Sequence, residues 1–414
     1  MTTAVRSKLF SFDEARRVVE QHAAACSPTQ PELMNLLDAL GLAMAEDLCA
    51  DRDFPPFPRA TRDGYAVRSA DVQKTPVTLL CVASIPAGST LEVDNISLHG
   101  GEAAEIMTGA PVPLSADAVV MVEYTETAGE NVTIKRPVRA GENTVARGSE
   151  AERGDIMVAK GKRVQQAVVA VAAAVGRPEI TVHRRPRVAV LATGDELVDI
   201  NFAPGRNEIR NSNSYSLAAQ ITVAGGEPLL LPIARDEPAE LSLLLRKGLE
   251  ADLLLLTGGV SMGKYDLVEE VLASLGAEFF FTGVAIQPGK PVVFGQIAVK
   301  GRNKPFFGLP GNPVSTMVTF ELFVRPMLDA LGGAMPKALS FAQARLTEPL
   351  STKTGLTRFL PGRLGGSHSK PEVRWIRWQG SGDLMAVAKS NCYIVVPPDR
   401  EKLAEGELVT VLLA

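Results

Sequence analysis

Between Arg187 and Leu331, polar and charged residues follow short apolar runs, and their side chains could bind a phosphorylated ligand and a metal ion. Glycine-rich turns expose backbone N–H groups that favour anions, and a nearby lysine would neutralise further negative charge. Carboxylates would hold a hard cation; because no Cys or His cluster accompanies them, we expect Mg²⁺ in oxygen coordination. The residues concerned are Thr193, Asp195, Glu196, Asp236, Thr257, Ser261, Asp266, Lys290, Asn312 and Ser315.

The stretch Leu253–Asp266 holds the densest set of these residues. Four leucines predict a buried strand, a turn containing Thr257, Gly258 and Gly259 follows, and a helix is predicted from about Leu267. Glycines let a backbone approach a ligand closely, but strand–Gly-Gly turns also occur for packing reasons alone. The turn therefore has two interpretations, as a ligand-binding loop or as a purely structural connection between a strand and a helix.

Helix capping is the alternative for two of the other residues. Thr193 and Asn312 each precede a predicted change of element, and Thr and Asn are common helix N-caps. Several acids that face one phosphate site are harder to explain in this way.

Two proline-stiffened loops carry further polar side chains. Asp53–Val67 is rich in proline and is predicted to be an extended loop that delivers Asp63 at a turn before a short strand. Glu105–Pro113 places Thr108 and Gly109 before two prolines, which predicts a second rigid loop carrying a hydroxyl. An Asp-Gly turn alone is usually a hairpin, but the long proline-rich segment before it is less ordinary.

The elements that must position these residues alternate between strands and helices from about Arg187. Units of this length predict a parallel, doubly wound sheet with helices on both faces. The carboxyl ends of such strands lie on one edge of the sheet, so the polar residues above are expected to meet there.

The rest of the chain is predicted to be helical at the start and β-rich elsewhere. Ser11–Cys26 predicts a capped helix and Leu33–Leu48 a second one. Val77–Val145 reads as a small antiparallel β domain, Gln165–Val175 as a buried helix, and the chain after Gly333 as a β barrel or sandwich.

Composition excludes several classes of protein. The 414 residues are too many for one ordinary core, so two to four domains are expected. A net charge of −4 without a basic run predicts neither a nucleic-acid nor a membrane partner. Four scattered cysteines favour a reducing compartment. No apolar run is long enough to span a bilayer, and we expect a cytoplasmic protein.

Six segments, in order between Asp53 and Ser315, resemble the molybdopterin molybdenumtransferases, enzymes that insert molybdate in the last step of molybdenum cofactor synthesis, and the C-terminal domain of gephyrin. The segments are Asp63-Gly-Tyr-Ala66, Met107-Thr-Gly-Ala-Pro-Val-Pro113, Ala192-Thr-Gly-Asp-Glu-Leu197, Thr257-Gly-Gly-Val-Ser261 with Asp266, Pro288-Gly-Lys-Pro291 and Gly308-Leu-Pro-Gly-Asn-Pro-Val-Ser315. One such segment would be weak evidence, but six in the family's order are specific.

The resemblance implies a multidomain α/β plus β fold. An N-terminal helix in residues 1–28 would pack on a molybdopterin-binding α/β domain (178–332). An elongated dimerisation domain would be formed by 29–50 and 148–177, a small β domain would be inserted at 51–147, and a C-terminal β barrel would occupy 333–414. Family members are elongated homodimers in which the active site joins the α/β domain of one subunit to the β domain of the other.

The resemblance also implies the reaction: adenylyl-molybdopterin and molybdate give molybdenum cofactor and AMP with a divalent cation, expected to be Mg²⁺. Metal, molybdate handling and chemistry are carried over to Asp63, Thr108, Glu196, Asp236 and Asp266, with the four acids as metal ligands. Ligand binding is carried over to Arg147, Thr193, Gly194, Thr257, Gly258, Gly259, Ser261, Lys290, Pro310, Pro313 and Ser315. Expected partners are a molybdopterin adenylyltransferase and the proteins that mature molybdoenzymes.

Three positions depart from the family pattern. Gln287 stands where many relatives have a basic residue, so one phosphate or molybdate contact is expected to be neutral. Ala60 and Arg62 stand where Ser and Met are common, but neither change removes a carboxylate.

The two alternative functions are a molybdopterin adenylyltransferase, whose α/β domain is similar, and a gephyrin-like scaffold. The two loops and the extra domains disfavour the adenylyltransferase. The lack of a long linker and of a fused adenylyltransferase domain disfavours the scaffold.

Overall fold

A computed structural model describes residues 9–88, 95–259 and 267–413 of the chain. The chain divides into two compact units. The larger unit falls within Met1–Ala45, Gly161–Gln165 and Glu179–Ala414, and the smaller unit is Glu46–Lys160 with Gln166–Pro178. Within the described residues, no helix is both long and apolar enough to cross a membrane.

The helices and strands are numbered in chain order. The helices are α1 Phe12–Ala25, α2 Gln166–Ala174, α3 Ser212–Val223, α4 Pro238–Gly248, α5 Leu267–Ser274, α6 Pro313–Thr319, α7 Arg325–Leu331 and α8 Leu384–Ala388. The strands of the first half are β1 Pro31–Asn35, β2 Leu48–Cys49, β3 Arg59–Ala60, β4 Gly64–Val67, β5 Val77–Ile85, β6 Glu102–Ile106, β7 Ala118–Met121, β8 Thr125–Ala128, β9 Asn131–Ile134, β10 Thr144–Val145, β11 Ile156–Val158, β12 Glu179–His183, β13 Arg187–Ala192, β14 Leu197–Val198 and β15 Ile209–Arg210. Those of the second half are β16 Glu227–Leu230, β17 Leu253–Thr257, β18 Glu278–Phe281, β19 Ile286–Gln287, β20 Val293–Val299, β21 Arg302–Leu309, β22 Phe341–Leu346, β23 Leu350–Ser351, β24 Thr357–Ser367, β25 Lys370–Trp375, β26 Cys392–Val396, β27 Lys402–Leu403 and β28 Leu408–Leu413.

The larger unit contains the predicted α/β sheet, with strand order β16-β13-β17-β21-β20-β18. The first four strands of that order are parallel, whereas β20 and β18 are antiparallel to their neighbours. The expectation of a fully parallel sheet was therefore wrong for its last third. The cause is a tight hairpin between β20 and β21, where Lys300 and Gly301 both adopt positive φ (49° and 75°).

Helices cover both faces of this sheet, so the doubly wound prediction is confirmed. Val188 and Leu255 face a core shared with α1, α3, α6 and α7, while the alternate residues Leu191 and Leu256 face a core shared with α4 and α5. The alternation follows from the period of two along a strand. The leucine run of β17 is buried because each of its faces meets a helical layer.

The predicted N-terminal helix is confirmed, and the second predicted helix was wrong. Ser11 caps α1 through a reciprocal bond with Glu14, as the sequence suggested. Within Leu33–Leu48, however, the chain forms β1, turns and β2, and β1 pairs with β12. Leu33 and Leu37, whose spacing imitated one face of a helix, are 64% and 71% exposed.

The chain after Gly333 forms a closed five-stranded barrel in the order β24-β25-β22-β28-β26, with β26 pairing back to β24. Its core is apolar and includes Leu360, Val373 and Ile394. The prediction of a C-terminal barrel is confirmed. Strand β19, which comes three residues before Lys290, extends this sheet by pairing with β24.

The smaller unit contains a second six-stranded sheet, in the order β7-β4-β6-β5-β9-β8. Most of its pairs are antiparallel, as predicted for Val77–Val145, but β5 and β6 run parallel. Helix α2 lies at the predicted position in the same unit, but the expectation that it is buried was wrong, since only Val168 and Ala172 of its residues are buried. Strand β4, which lies between β7 and β6 and follows Asp63 directly, is buried along its length.

Candidate active site

The ends of three parallel strands in the larger unit meet at one edge. Ala192 of β13 pairs with Thr257 of β17, which in turn pairs with Leu309 of β21. The residues that follow are Thr193, Gly258 and Pro310, so the polar loops predicted to meet lie side by side. This edge is where an open α/β sheet binds ligands.

The two glycines after Thr257 are required by close packing against neighbouring residues. Gly258 has φ +88°, and a Cβ there would overlap the carbonyl oxygen of Thr193. Gly259 has φ +63°, and a Cβ there would lie 2.6 Å from a methyl group of Val268. The packing interpretation of this turn therefore holds, and it leaves the backbone of Gly259 at the surface, since that residue is exposed.

We call the loops that follow β13, β17 and β21 the strand-end loops. Asn213, in the first turn of α3, joins two of them and was missed as a site residue. Its Nδ2 donates to the Thr257 hydroxyl at 2.9 Å and to the Gly311 carbonyl at 2.7 Å. Its Oδ1 is buried and has no hydrogen-bond partner among the described residues. The signal was in the sequence: the cap of α3 is Asn211, which accepts from the Ser214 amide, so capping leaves the second asparagine unexplained.

The acidic side of the edge is formed by the loops after β13 and β16. The buried Thr193 hydroxyl donates to Asp236 Oδ1 at 3.0 Å, so Thr193 positions a carboxylate instead of capping a helix. Asp195 lies beside them and accepts weakly from the Asp236 amide at 3.4 Å. Glu196 is exposed and folds back over Gly194, where a Cβ would overlap its carboxylate.

Lys290 reaches the same edge from the antiparallel part of the sheet. It lies just before β20, and Val293 at the start of β20 pairs with Gly308 at the end of β21. Because β20 runs opposite to β21, residues that precede β20 lie with residues that follow β21. The Lys290 side chain is exposed there, which suits an anion-binding role.

The loop after β21 presents the predicted prolines. Pro310 is buried and its carbonyl accepts from the Thr316 hydroxyl at 2.6 Å, which fixes the loop against α6. Pro313 begins α6, and Asn312 occupies the N-cap position without a side-chain capping bond to any described residue. Ser315 is only 3% exposed. Ser261 and Asp266, the remaining predicted residues of this edge, lie outside the described residues.

The other predicted residues belong to the smaller unit. Asp63 Oδ1 accepts from both the Thr108 hydroxyl, at 2.7 Å, and the Thr108 amide, at 2.6 Å. These hydrogen bonds, the hydroxyl first, hold the pKa of Asp63 below its ordinary value, so the exposed carboxylate is ionised at neutral pH. Asp63 and Thr108 are thus brought together by the two rigid loops.

Arg147, also in the smaller unit, is held by Asp53. Its Nε donates to Asp53 Oδ2 at 2.7 Å, and Asp53 also accepts from the Arg153 amide at 3.0 Å. The hydrogen bond from the Arg153 amide contributes most, and the hydrogen bond from the Arg147 guanidinium comes next; together they hold the pKa of Asp53 below its ordinary value. The Arg147 side chain remains 65% exposed, so it stays accessible to a ligand.

Three protein-family models match the chain in succession. Residues 10–176 match the MoeA N-terminal region (domain I and II), residues 189–330 a probable molybdopterin binding domain, and residues 343–414 the MoeA C-terminal region (domain IV).

Similar proteins cover nearly the whole chain. A molybdopterin molybdenumtransferase of Nostoc sp. is 34% identical, over 93% of this chain and 89% of its own. One of Bacillus subtilis is 33% identical, over 93% and 90%. The crystal structure of a molybdopterin biosynthesis moeA protein from Pyrococcus horikoshii OT3 superposes with a TM-score of 0.80 at 28% identity, covering 98% of this chain and all of that one (100%).

Proposed function

The chain belongs to the molybdopterin molybdenumtransferase family, and we propose that its strand-end loops bind adenylyl-molybdopterin and convert it, with molybdate, into molybdenum cofactor and AMP. The observation that carries the site assignment is the meeting of Thr193, Thr257, Lys290 and Pro310 at one edge of the sheet.

This edge offers complementary groups for an anionic, hydrogen-bonding substrate. Lys290 supplies positive charge, and the exposed backbone of Gly259 can approach a phosphate closely. Asn213 Oδ1 is an unused acceptor beside the loops, and a buried acceptor without a partner is costly. We assign it an N–H or O–H donor of the bound substrate.

The acids at this edge fit Mg²⁺ by the chemistry of their donor atoms. Asp195, Glu196 and Asp236 are exposed and offer only oxygen. No group of three or more His, Cys, Asp or Glu suited to a metal occurs among the described residues. Mg²⁺ commonly takes only one or two carboxylates and completes its shell with water and substrate phosphate, so Glu196 and Asp236 suffice as ligands. The ion would stabilise negative charge that develops at the phosphoanhydride.

We further propose that the active site is completed across a homodimer, with Asp63 and Thr108 of one subunit serving the strand-end loops of the other. Apolar side chains that flank the Asp63–Thr108 pair support an interface there. Met107 and Val122 are 42% and 51% exposed, and the Val122 amide bonds to the Asp63 carbonyl. Exposed apolar groups beside an ionised carboxylate are expected to be covered in an assembly.

Subunit mixing tests the shared site. Protomers carrying Asp63→Asn and protomers carrying Asp236→Asn should each be inactive as homodimers. Mixed dimers would contain one site with both defects and one intact site, so about half of the wild-type activity per mixed dimer is expected. If exchange is demonstrated and no activity returns, the shared site is refuted.

The assignment of the strand-end residues is tested by comparing binding with turnover. Lys290→Gln should raise the KM for adenylyl-molybdopterin about tenfold or more, because one charge-assisted contact to phosphate is lost. Asp236→Asn should instead lower kcat. The exposed Lys337→Gln is the matched control and should leave both values unchanged; equal effects of the two lysine variants would contradict the site.

We propose that the enzyme works in the cytoplasm, and the four cysteines, all free in the described structure, suit a reducing compartment. Its substrate must come from an enzyme that adenylylates molybdopterin, and its product must pass to proteins that load molybdoenzymes.

A further inference from the structure

A cavity of about 590 Å³ lies in the larger unit, at the edge of the α/β sheet opposite the candidate active site. Its lining includes Arg184 and Asp252, which precede β13 and β17, and Lys304, which lies near the start of β21. The five residues of β17 separate the two edges by about 15 Å at a rise of roughly 3.3 Å per residue. The cavity is thus distinct from the strand-end loops.

Positive charge exceeds negative charge among the side chains that line this cavity. Arg184 makes a two-point contact with Asp252, at 2.8 and 3.1 Å, which neutralises one cation. Lys304 stands 3.9 Å from the same carboxylate and donates to the Ala251 carbonyl, and Arg302 is exposed beside it. Glu32 and Glu227 also act on Arg184 but are not among the lining residues.

The excess positive charge affects the pKa of Lys304. Burial lowers the pKa of its ammonium group, and repulsion from Arg302 and Arg184 lowers it further, against the attraction of Asp252. A bound anion would relieve this repulsion. The charge arrangement alone therefore favours an anionic occupant.

Other residues of the cavity lining are aromatic and apolar. The rings of His22 and Phe280 lie 3.8 Å apart between centroids, and Phe294 and Met327 are almost fully buried behind them. Such residues suit a flat, apolar body, and the volume falls in the range of ordinary small-molecule sites. The lining thus offers cationic groups for an anion and aromatic groups for a ring.

We propose that this cavity, lined by His22, Phe280, Arg302 and Lys304, is a second binding site for a small aromatic anion, such as an aryl phosphate or carboxylate. The anionic group meets Arg302 and Lys304, and the ring lies against His22 and Phe280. The site takes no part in the proposed transfer reaction, so it stands or falls independently of it.

Naphthyl phosphate is the probe, titrated by calorimetry into the purified full-length protein. It should bind more tightly than either inorganic phosphate or naphthol, because only the probe can contact both the cationic and the aromatic residues of the lining. Arg302→Gln should weaken binding about tenfold through the loss of one charge-assisted contact. Arg302 is exposed, so this variant should fold normally.

Two further variants locate the bound probe. Ala25→Trp would fill the cavity from the end of α1 and should abolish binding, whereas Lys290→Gln, at the candidate active site, should leave it unchanged. The proposal is overturned if the probe does not bind, if naphthol binds equally well, or if binding survives Arg302→Gln and Ala25→Trp but is lost in Lys290→Gln.

Discussion

Replacing Gly258 by alanine should destabilise the strand-end loops far more than the same change at a glycine with equal backbone strain. Gly276 is the matched control: it lies in the same α/β region and has φ +84° against +88° for Gly258. A Cβ at Gly276 meets no described atom within 4 Å, whereas one at Gly258 overlaps the Thr193 carbonyl. The pair therefore separates backbone strain from steric overlap.

The magnitude follows from the bonds that must give way. A left-handed conformation costs an alanine about 1–2 kcal/mol, and both variants share this cost. In Gly258→Ala the Thr193 backbone must also move. This movement would break two hydrogen bonds of 3.0 Å, from the Thr193 amide to the Thr257 carbonyl and from the Thr193 hydroxyl to Asp236. At about 1–2 kcal/mol for each lost bond, the total for Gly258→Ala is about 3–6 kcal/mol.

Hydrogen exchange resolved by peptide mass spectrometry is the suitable assay, because the opening free energy of β17 can then be read locally. Tryptophan fluorescence would not isolate β17, since both tryptophans, Trp375 and Trp378, lie in the C-terminal region. Gly258→Ala should also reduce AMP release, because Thr193 positions Asp236. Equal loss of protection in the two variants, with full activity in Gly258→Ala, would refute the packing explanation of this turn.

Three further outcomes are expected. Asn213→Ala should lower the opening free energy of β17 by about 1–3 kcal/mol in the same exchange assay, and raise the KM for substrate, because it removes two hydrogen bonds between strand-end loops. Thr108→Val removes a bond that lowers the pKa of Asp63, so this pKa should rise and the acid limb of the kcat/KM–pH profile should move to higher pH; an unchanged limb would contradict the role of the ionised carboxylate. Arg163→Met leaves the buried Asp329 without its closest cation and should cost about 2–4 kcal/mol in urea unfolding followed by circular dichroism, with no cost expected for the surface variant Arg62→Met.

The α/β region could be predicted because its signals are local. The leucines of β17 sit between turn residues, and each polar loop follows a strand directly, so the edge at which Thr193, Thr257 and Pro310 meet follows from parallel pairing. The proline-rich loops pointed to Asp63 and Thr108 in the smaller unit, the family segments added their expected roles, and the two side chains are in contact.

The features that sequence reasoning missed depend on distant partners. Leu33–Leu48 imitates a helix, but β1 pairs with β12 about 150 residues later, and no local pattern reports that pairing. The function of Asn213 likewise depends on Gly311 and Thr257, which become its neighbours only through folding. Thr193 was open to a capping interpretation until Asp236, in the loop after β16, was placed beside it.

The central claim is that this chain couples molybdate to the cleavage of adenylyl-molybdopterin, and one measurement tests it most directly. The purified protein is incubated with adenylyl-molybdopterin, with and without molybdate and Mg²⁺, and released AMP is quantified by chromatography while the pterin product is weighed by mass spectrometry. We expect AMP only when both molybdate and Mg²⁺ are present, with one molybdenum gained for each AMP released. AMP release that is absent, or equally fast without molybdate, would contradict the account.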